Sequence, residues 1–85
     1  MKRVLDAREQ PAMNVCGARI REARKRAKLT QEQLSIKLET MAIYVCRGSV
    51  SRIENGVRLV ADYELQAIAK ILHVPIESLF PQTED

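Results

Sequence analysis

The chain has 85 residues, of which 46% are hydrophobic, and a formal net charge of +3, so we expect one small domain with a single core and no room for a second. Its longest apolar run, MAIYVC at 41–46, is far shorter than the roughly 20 residues of a membrane span. Two cysteines and one histidine cannot supply the about four ligands of a zinc site, so we expect no membrane segment, no metal and no cofactor.

The charge is distributed unevenly along the chain. Residues 1–60 carry 13 Lys and Arg against 6 Asp and Glu, whereas residues 61–85 carry one Lys against five acids. Basic clustering of this kind marks either a solvated helix face or a surface that binds a polyanion. No apolar stretch of signal-peptide length occurs in 1–14, so we expect a cytoplasmic protein with reduced thiols.

The first helix is predicted over about 15–27, after a segment of mixed charge with a proline, 1–14, that we interpret as an N-terminal arm. Apolar residues recur there at the spacing of one helix face. The predicted inward face consists of Cys16, Ile20, Ala23 and Ala27.

The second helix has the clearest start in the chain. Thr30 is a good N-cap, and Gln33 stands three residues later to complete a capping box. Leu29 and Leu34 occupy the two positions of a hydrophobic staple. The predicted inward face consists of Leu34, Leu38 and Met41. The end of this helix is not marked, because 39–45 contains neither glycine nor proline.

Three more helices are predicted. One runs from Cys46 or Arg47 to the Asn55-Gly56 pair, where glycine can adopt the left-handed conformation that closes a helix. The next ends before Pro75, and the last is the short segment PIESLF at 75–80, followed by a disordered tail at 81–85. The fourth helix has an inward face of Leu65, Ile68, Ala69 and Leu72. The prediction is an all-α, compact five-helix domain over 15–80.

Glu54 is an acidic residue at the edge of a buried stripe. On a helical wheel for 47–54 it lies on the same side as Val50 and Ile53. A carboxylate there is costly unless it is paired. Arg24 lies four residues after Ile20, on the edge of the first helix's inward face, so we predict a salt bridge between Arg24 and Glu54.

The opposite side of the third helix is small, polar and basic, with Arg47, Gly48, Ser51 and Arg52. Such a helix fits the major groove of duplex DNA, where the planar fork of arginine reaches two acceptors on guanine. Gly48 lowers helix stability by roughly 1 kcal/mol relative to alanine. Either a partner approaches the backbone at this point, or the fold simply tolerates the glycine.

Three segments together resemble the helix-turn-helix family of Cro and the phage repressors, also called the xenobiotic-response-element family of bacterial transcriptional regulators. They are GARIREARKRAKLTQEQLSIKL at 17–38, VSRIENGVRL at 50–59 and ADYELQAIAKILHV at 61–74. The resemblance implies a lambda-repressor-like domain that contains a helix-turn-helix and binds double-stranded operator DNA, usually as a symmetric homodimer.

The resemblance also implies roles for individual residues. Gln31 matches the glutamine that clamps a phosphate at the N-terminus of the second helix. The base-facing positions of the recognition helix match Arg47, Gly48 and Arg52, with Ser51 beside them. The segment that touches the sugar-phosphate strand matches Asn55 and Arg58. The structural ion pair of the family matches Arg24 and Glu54.

The sequence departs from the family pattern in two places. Leu38 and Val50 are separated by about five residues more than is usual, so either the second helix is extended or the turn is a longer loop. Cys46 stands where the family often has Ser or Thr as the cap of the recognition helix, and a thiol is a weaker acceptor. That thiol is either inert or sensitive to oxidation.

The leading functional hypothesis is a sequence-specific DNA-binding regulator, either a repressor or an activator, that acts as a dimer on a palindrome. The alternative is a protein-interaction module on the same fold, such as an antitoxin or bridging factor, with the acidic C-terminal third as its surface. Alternatively, the acidic C-terminal third forms the homodimer contact and binds no other protein. We do not expect an enzyme, since there is no glycine-rich phosphate loop and His73 has no nucleophile at suitable spacing.

Overall fold

The computed structural model describes residues 12–81, and within this range all regular structure is helical. The elements are α1 (Gly17–Arg26), α2 (Gln31–Thr40), α3 (Arg47–Glu54), α4 (Asp62–Leu72) and a 3-10 helix (Ile76–Leu79). The all-α prediction is confirmed, with one correction to the five-helix count: the last element is a single 3-10 turn. Residues 1–11 of the predicted arm and 82–85 of the predicted tail lie outside the described residues.

The core is aliphatic, as expected for a chain with 4% aromatic residues. Each of the five elements contributes at least one side chain that is almost fully shielded from solvent, and the one from α3 is Ile53. The most deeply buried large side chains are Ile20, Leu34, Leu38, Ile53, Ile68 and Leu79. The four predicted inward residues of α4 are all buried.

Helix α1 is shorter than predicted and approaches α3 very closely at its first residue. A Cβ atom on Gly17 would lie 2.4 Å from the carbonyl oxygen of Ile53, so only glycine fits there. Ala27 was predicted to face inward, and this is wrong: it is the exposed C-cap residue of α1. The helix ends because Lys28 adopts a left-handed conformation (φ 62°).

The N-terminus of α2 forms the predicted capping box. The Thr30 hydroxyl accepts the Gln33 backbone N–H at 3.0 Å, and the Gln33 side-chain oxygen accepts the Thr30 N–H at 2.8 Å. The prediction that Met41 faces the core is wrong, because the helix ends at Thr40 and Met41 is exposed. Ala42 closes the helix in a left-handed conformation (φ 62°).

The connection between α2 and α3 is a six-residue loop, 41–46, rather than an extension of α2. One backbone–backbone and one side chain–backbone hydrogen bond shape it. The Ile43 N–H donates to the Leu38 carbonyl at 3.0 Å, and the Ser35 hydroxyl donates to the Val45 carbonyl at 2.7 Å. The Val45 side chain is buried. The additional residues are therefore held against the core and set where α3 begins.

None of the helices in the described range is both long enough and apolar enough to span a bilayer. Helix α4 ends at Leu72, and its C-cap residue His73 adopts a left-handed conformation (φ 58°) two residues before Pro75. The 3-10 helix then packs against α1 and α4 through the buried Leu79.

Candidate nucleic-acid interface

The Glu54 carboxylate is buried and holds α3 against α1. The Arg24 Nε atom lies 2.6 Å from Oε2 of Glu54, and Arg24 Nη2 lies 3.0 Å from Oε1. The remaining Arg24 nitrogen, Nη1, donates to the Leu29 carbonyl at 2.8 Å. The two residues of the predicted ion pair thus meet in a bidentate arrangement. The carbonyl of Leu29, just before α2, holds the arginine in place.

Two further side chains donate to the same carboxylate. Gln31 Nε2 lies 3.1 Å from Oε1 of Glu54, and Arg21 Nε lies 3.5 Å from the same atom. Arg21 also donates to the side-chain oxygen of Asn55. Burial by itself would raise the pKa of Glu54, but the hydrogen bonds from Arg24 and Gln31 and the Arg24 charge outweigh it and lower that pKa.

The carboxylate of Glu54 therefore connects α1, α2 and the end of α3. It also fixes the positions of Gln31 directly and of Asn55 through Arg21. The family resemblance assigned Gln31 and Asn55 to contacts with the DNA backbone. One buried carboxylate therefore sets the separation between these two candidate DNA contacts.

The opposite side of α3 faces solvent. Arg47, Gly48 and Arg52 are exposed and Ser51 is half-buried, whereas Val50 on the other side is buried. Arg52 Nη2 donates to the Ser49 hydroxyl at 3.0 Å, so its guanidinium lies along the helix. The helix is thus anchored by one side and presents two arginines on the other.

Gly48 has room for a side chain. A Cβ atom there would meet only the Arg52 guanidinium, at 3.4 Å from Nη1, and that group is the far end of a flexible side chain. Gly17, by contrast, would place a Cβ against backbone atoms. Packing within the protein therefore requires glycine at 17 and does not require it at 48.

A shallow hollow joins α2 to the exposed side of α3. Its lining consists of Gln31, Arg47, Gly48 and Ser51. A neighbouring hollow contains Arg47 again, together with Arg24, Thr30 and Glu32. The fold thus brings the predicted phosphate-binding residue next to the predicted base-facing residues.

Arg58 lies apart from this hollow and turns toward α4. Its Nη1 and Nη2 atoms donate to the two oxygens of Glu64 at 3.1 and 3.2 Å, and Nη1 also donates to the Leu59 carbonyl at 2.8 Å. The hydrogen bonds to Glu64 raise the pKa of Arg58. The sequence analysis did not foresee this partner, although Glu64 lies only six residues away at the start of α4.

A family model described as helix-turn-helix matches residues 20–79 of the chain. This chain belongs to the Cro and phage repressor-like helix-turn-helix family. The searches of curated proteins and of solved structures gave no match. The family is one of DNA-binding regulators.

Helix α3 of this helix-turn-helix protein begins with a cysteine cap. Cys46 is the N-cap residue, and its side chain makes no capping hydrogen bond to the backbone of α3. Its sulfur lies 3.4 Å from the Ser49 hydroxyl. Hydrogen bonding with Ser49 lowers the pKa of the Cys46 thiol.

Sequence reasoning missed two residues that shape the helix-turn-helix domain. Asn14 accepts the N–H groups of Cys16 and Gly17 at 2.8 and 2.7 Å, and its amide donates to the carbonyls of Ile53 and Arg58. An Asn just before a helix is a recognised start signal. Arg21 lies three residues before Arg24, the spacing at which two helix side chains share a face.

Proposed function

We propose that the protein is a cytoplasmic, sequence-specific transcriptional regulator that inserts α3 into the major groove of double-stranded DNA. We further propose that it binds a palindromic operator as a symmetric dimer. The observation that supports this most strongly is the asymmetry of α3. Its inner side is anchored through Glu54, and its outer side presents Arg47 and Arg52 next to Gln31.

Arg47 and Arg52 are the proposed base-reading residues, with Ser51 beside them. A guanidinium can donate two parallel hydrogen bonds to the O6 and N7 atoms of guanine. Among residues 12–81, Arg52 bonds to Ser49 on its own helix and to no other side chain, and this exposed contact can be exchanged for a base edge at small cost.

Gln31 is the proposed phosphate clamp. It is the first residue of α2, where backbone N–H groups without helical partners favour an anion. Its amide nitrogen carries two hydrogens, and the bond to Glu54 uses one of them. The second hydrogen is available to a phosphate oxygen, and the Glu54 bond holds the amide in place for it.

Asn55 and Arg58 are the proposed contacts to the sugar-phosphate strand beyond the recognition helix. Asn55 uses its oxygen to accept from Arg21, which leaves its amide N–H groups as donors toward a phosphate. Arg58 makes three hydrogen bonds to the part of the chain that the structure describes, and a guanidinium has five donors in total. A phosphate contact would therefore be added to the Glu64 pair without breaking it.

Gly48 is explained by the same proposal. Because the fold leaves space for a Cβ at this position, the roughly 1 kcal/mol loss of helix stability has no internal packing reason. Close approach of the α3 backbone to the base edges would supply one, since a side chain at 48 would then separate the helix from the groove.

The test begins with selection of bound duplexes from a random library, in which a palindrome with half-sites about 10 bp apart is expected. Mobility-shift titrations then compare that operator with random duplex. Arg52→Ala should weaken operator binding by about 1–3 kcal/mol and random-duplex binding by less. Gln31→Ala should weaken both alike.

Lys70→Ala serves as the control, because it also removes one positive charge but lies on α4, outside the proposed interface. It should leave both affinities nearly unchanged. The affinity of the wild type should fall with salt, with a log-log slope near −0.9 for each phosphate neutralised. Equal losses for Arg52→Ala and Gln31→Ala on both duplexes would contradict the assigned roles.

A further inference from the structure

Tyr44 is the most exposed large hydrophobic side chain in the described range 12–81, with 77% of its surface in solvent. It lies in the loop between α2 and α3, three residues before Arg47, the first residue of α3. Tyrosine combines an apolar ring with a polar hydroxyl, and such side chains are enriched at interfaces. An exposed tyrosine so close to a proposed base-reading residue is therefore a candidate for a further contact with DNA.

The backbone on both sides of Tyr44 is fixed, so the exposure of its side chain is a property of the fold. The Ile43 N–H donates to the Leu38 carbonyl at 3.0 Å. On the other side, the Val45 side chain is buried, and the Val45 carbonyl accepts the Ser35 hydroxyl at 2.7 Å. Because one neighbour is bonded to the end of α2 and the other is inserted in the core, the Tyr44 side chain is held away from the core.

Tyr44 shares a shallow hollow with the first turn of α3. The hollow is lined by Ser35, Glu39, Tyr44, Val45, Cys46 and Ser49. Ser49 connects this hollow to the proposed base-reading side, because its hydroxyl accepts a hydrogen bond from Arg52 Nη2 at 3.0 Å. Tyr44 and the Ser49-Arg52 pair thus belong to one continuous surface.

Gln31 and Tyr44 lie at opposite edges of the outward side of α3. Successive residues of an α-helix are turned by about 100°, so Ser49 and Ser51 flank Gly48 on its two sides. The hollow that contains Gln31 includes Ser51, whereas the hollow that contains Tyr44 includes Ser49. A helix in the major groove has one sugar-phosphate strand on each side of it. The two side chains are therefore placed to meet different strands.

We infer that Tyr44 is an additional DNA contact, whose hydroxyl donates a hydrogen bond to a phosphate oxygen on the strand across the groove from Gln31. The inference rests on the proposed function, because it takes the duplex against α3 as the occupant of this surface. Tyrosine is among the side chains that hydrogen-bond to phosphate oxygens in protein–DNA complexes. The lengthened connection between α2 and α3 thereby has a role in binding as well as in packing.

The charge around Tyr44 indicates what this contact contributes. Within the described part of the chain, Glu39 is the only charged side chain that lines the hollow, and it is exposed. Its carboxylate repels a phosphate beside it, so the Tyr44 contact should position the duplex more than it raises affinity. Contacts to phosphates fix the register and orientation of a protein on DNA in this way.

The test compares Tyr44→Phe with the wild type in mobility-shift titrations on the selected operator and on random duplex. Removing one hydroxyl should weaken binding to both duplexes by about three- to tenfold, the loss expected for one hydrogen bond. The log-log slope of affinity against salt should stay the same, because an uncharged phenol neutralises no phosphate, whereas loss of a phosphate-binding cation reduces it by about 0.9. Tyr63→Phe is the matched control, because Tyr63 is also exposed, at 60%, but lies on α4; it should bind like the wild type.

Ethylation interference on the operator locates the contact. In the wild type, ethylation of the phosphate that Tyr44 binds should reduce complex formation. That position should no longer interfere in Tyr44→Phe, while the position assigned to Gln31 is unaffected. Gln31→Ala should show the reverse, and the two positions should lie on different strands of the half-site.

Neutralising Glu39 gives a second, positive measurement. If a phosphate lies beside the hollow, Glu39→Gln should raise the affinity for both duplexes by about two- to threefold, since one repulsive charge is removed. Glu77→Gln removes the same charge on the 3-10 helix and is the control for the change in net charge. An equal gain in the two variants would contradict a phosphate at this hollow.

Unchanged affinity in Tyr44→Phe, or an interference pattern identical to that of the wild type, would overturn the inference. A loss confined to the operator would place the hydroxyl on a base edge and overturn the assignment to phosphate. In each of these cases the wild type still binds its operator, so the proposed function is unaffected. A wild type that binds no duplex would instead refute the proposed function, and this inference with it.

Discussion

Two arginine-glutamate pairs near the end of α3 differ in burial and in the sequence distance between the partners. In the Arg24-Glu54 pair the side chains are 10% and 0% exposed, and the partners are 30 residues apart in sequence. In the Arg58-Glu64 pair they are 29% and 8% exposed and six residues apart. The first pair fixes how helices pack, whereas the second shapes one loop. The same type of ion pair thus fixes the packing of helices at one place and the shape of a single loop at the other.

The two carboxylates also differ in what surrounds them. Glu54 accepts hydrogen bonds from side chains on α1 and α2, while Glu64 accepts from Arg58 and from the backbone N–H of Ala61 at 2.9 Å. At both glutamates burial would raise the pKa, and hydrogen bonds from the arginine and other donors outweigh it, so both pKa values are lowered. From this comparison we expect that removing each charge lowers the free energy of unfolding by a different amount.

The largest effect is expected for Glu54→Gln. The substitution leaves the Arg24 guanidinium buried without a counter-charge and places an amide donor toward arginine donors, so the free energy of unfolding should fall by about 3–5 kcal/mol. Urea denaturation of both proteins measures the difference. A loss no larger than that of Glu64→Gln would show that the burial difference between the pairs has no energetic consequence.

Acid should have the next largest effect. Because the folded-state pKa of Glu54 lies below its ordinary value of 4.5, the carboxylate stabilises the fold above that pH. This contribution is lost as the pH falls through the folded-state pKa. The loss should be smaller than in Glu54→Gln, because the hydroxyl oxygen of a protonated carboxyl can still accept a hydrogen bond, whereas the amide nitrogen of glutamine can only donate.

Urea titrations between pH 7 and pH 3 measure this dependence. The stability of the wild type should be nearly constant above about pH 5 and decline below it. Glu54→Gln should show a shallower decline, since Glu64 then supplies more of the remaining acid sensitivity. Parallel acid profiles for the two proteins would contradict the assigned role of Glu54.

A smaller effect is expected for Glu64→Gln. The substitution removes the charge from a partly exposed pair and weakens the acceptor for the Ala61 N–H at the start of α4, with a combined loss of about 1 kcal/mol. Thermal or urea unfolding measures it, and Glu77→Gln, at an exposed glutamate of the 3-10 helix, is the control. A loss comparable with that of Glu54→Gln would remove the distinction between the two pairs.

The smallest effect is expected for Arg21→Ala. Arg21 reaches Glu54 only at 3.5 Å, and its side chain is 40% exposed, so the loss of stability should be about 0.2–1 kcal/mol. DNA affinity should fall more than stability, because Asn55 loses the donor that fixes its side chain. Hydrogen-deuterium exchange and mobility shifts on the same variant separate the two effects.

Some features of the fold could be predicted because residues close together in sequence determine them. The capping box of α2 needs only Thr30 and Gln33, and the buried stripe of α4 follows from helical periodicity. The inward placement of Met41 was wrong because the sequence contains no signal for the end of α2. That end depends on Ala42, which adopts a left-handed conformation that alanine rarely takes.

At the candidate interface, too, some side-chain contacts could be predicted from the sequence and others could not. The Arg24-Glu54 pair could be inferred because a charge at the edge of an apolar stripe requires a partner. The turn of Arg58 toward Glu64 could not be inferred, because an exposed arginine has several possible acceptors within reach. Gly17 also carried no signal, since its role depends on how closely α1 approaches the Ile53 carbonyl.

The sequence by itself therefore determined the helical class, the starts of α2 and α3 and the side of α3 that faces the core, because these follow from local propensity and periodicity. Only the tertiary structure decided where α2 stops, why position 17 must be glycine and which partner Arg58 takes. Those outcomes depend on distances between segments far apart in the chain. Such distances are set by packing of the whole core and not by any single stretch of residues.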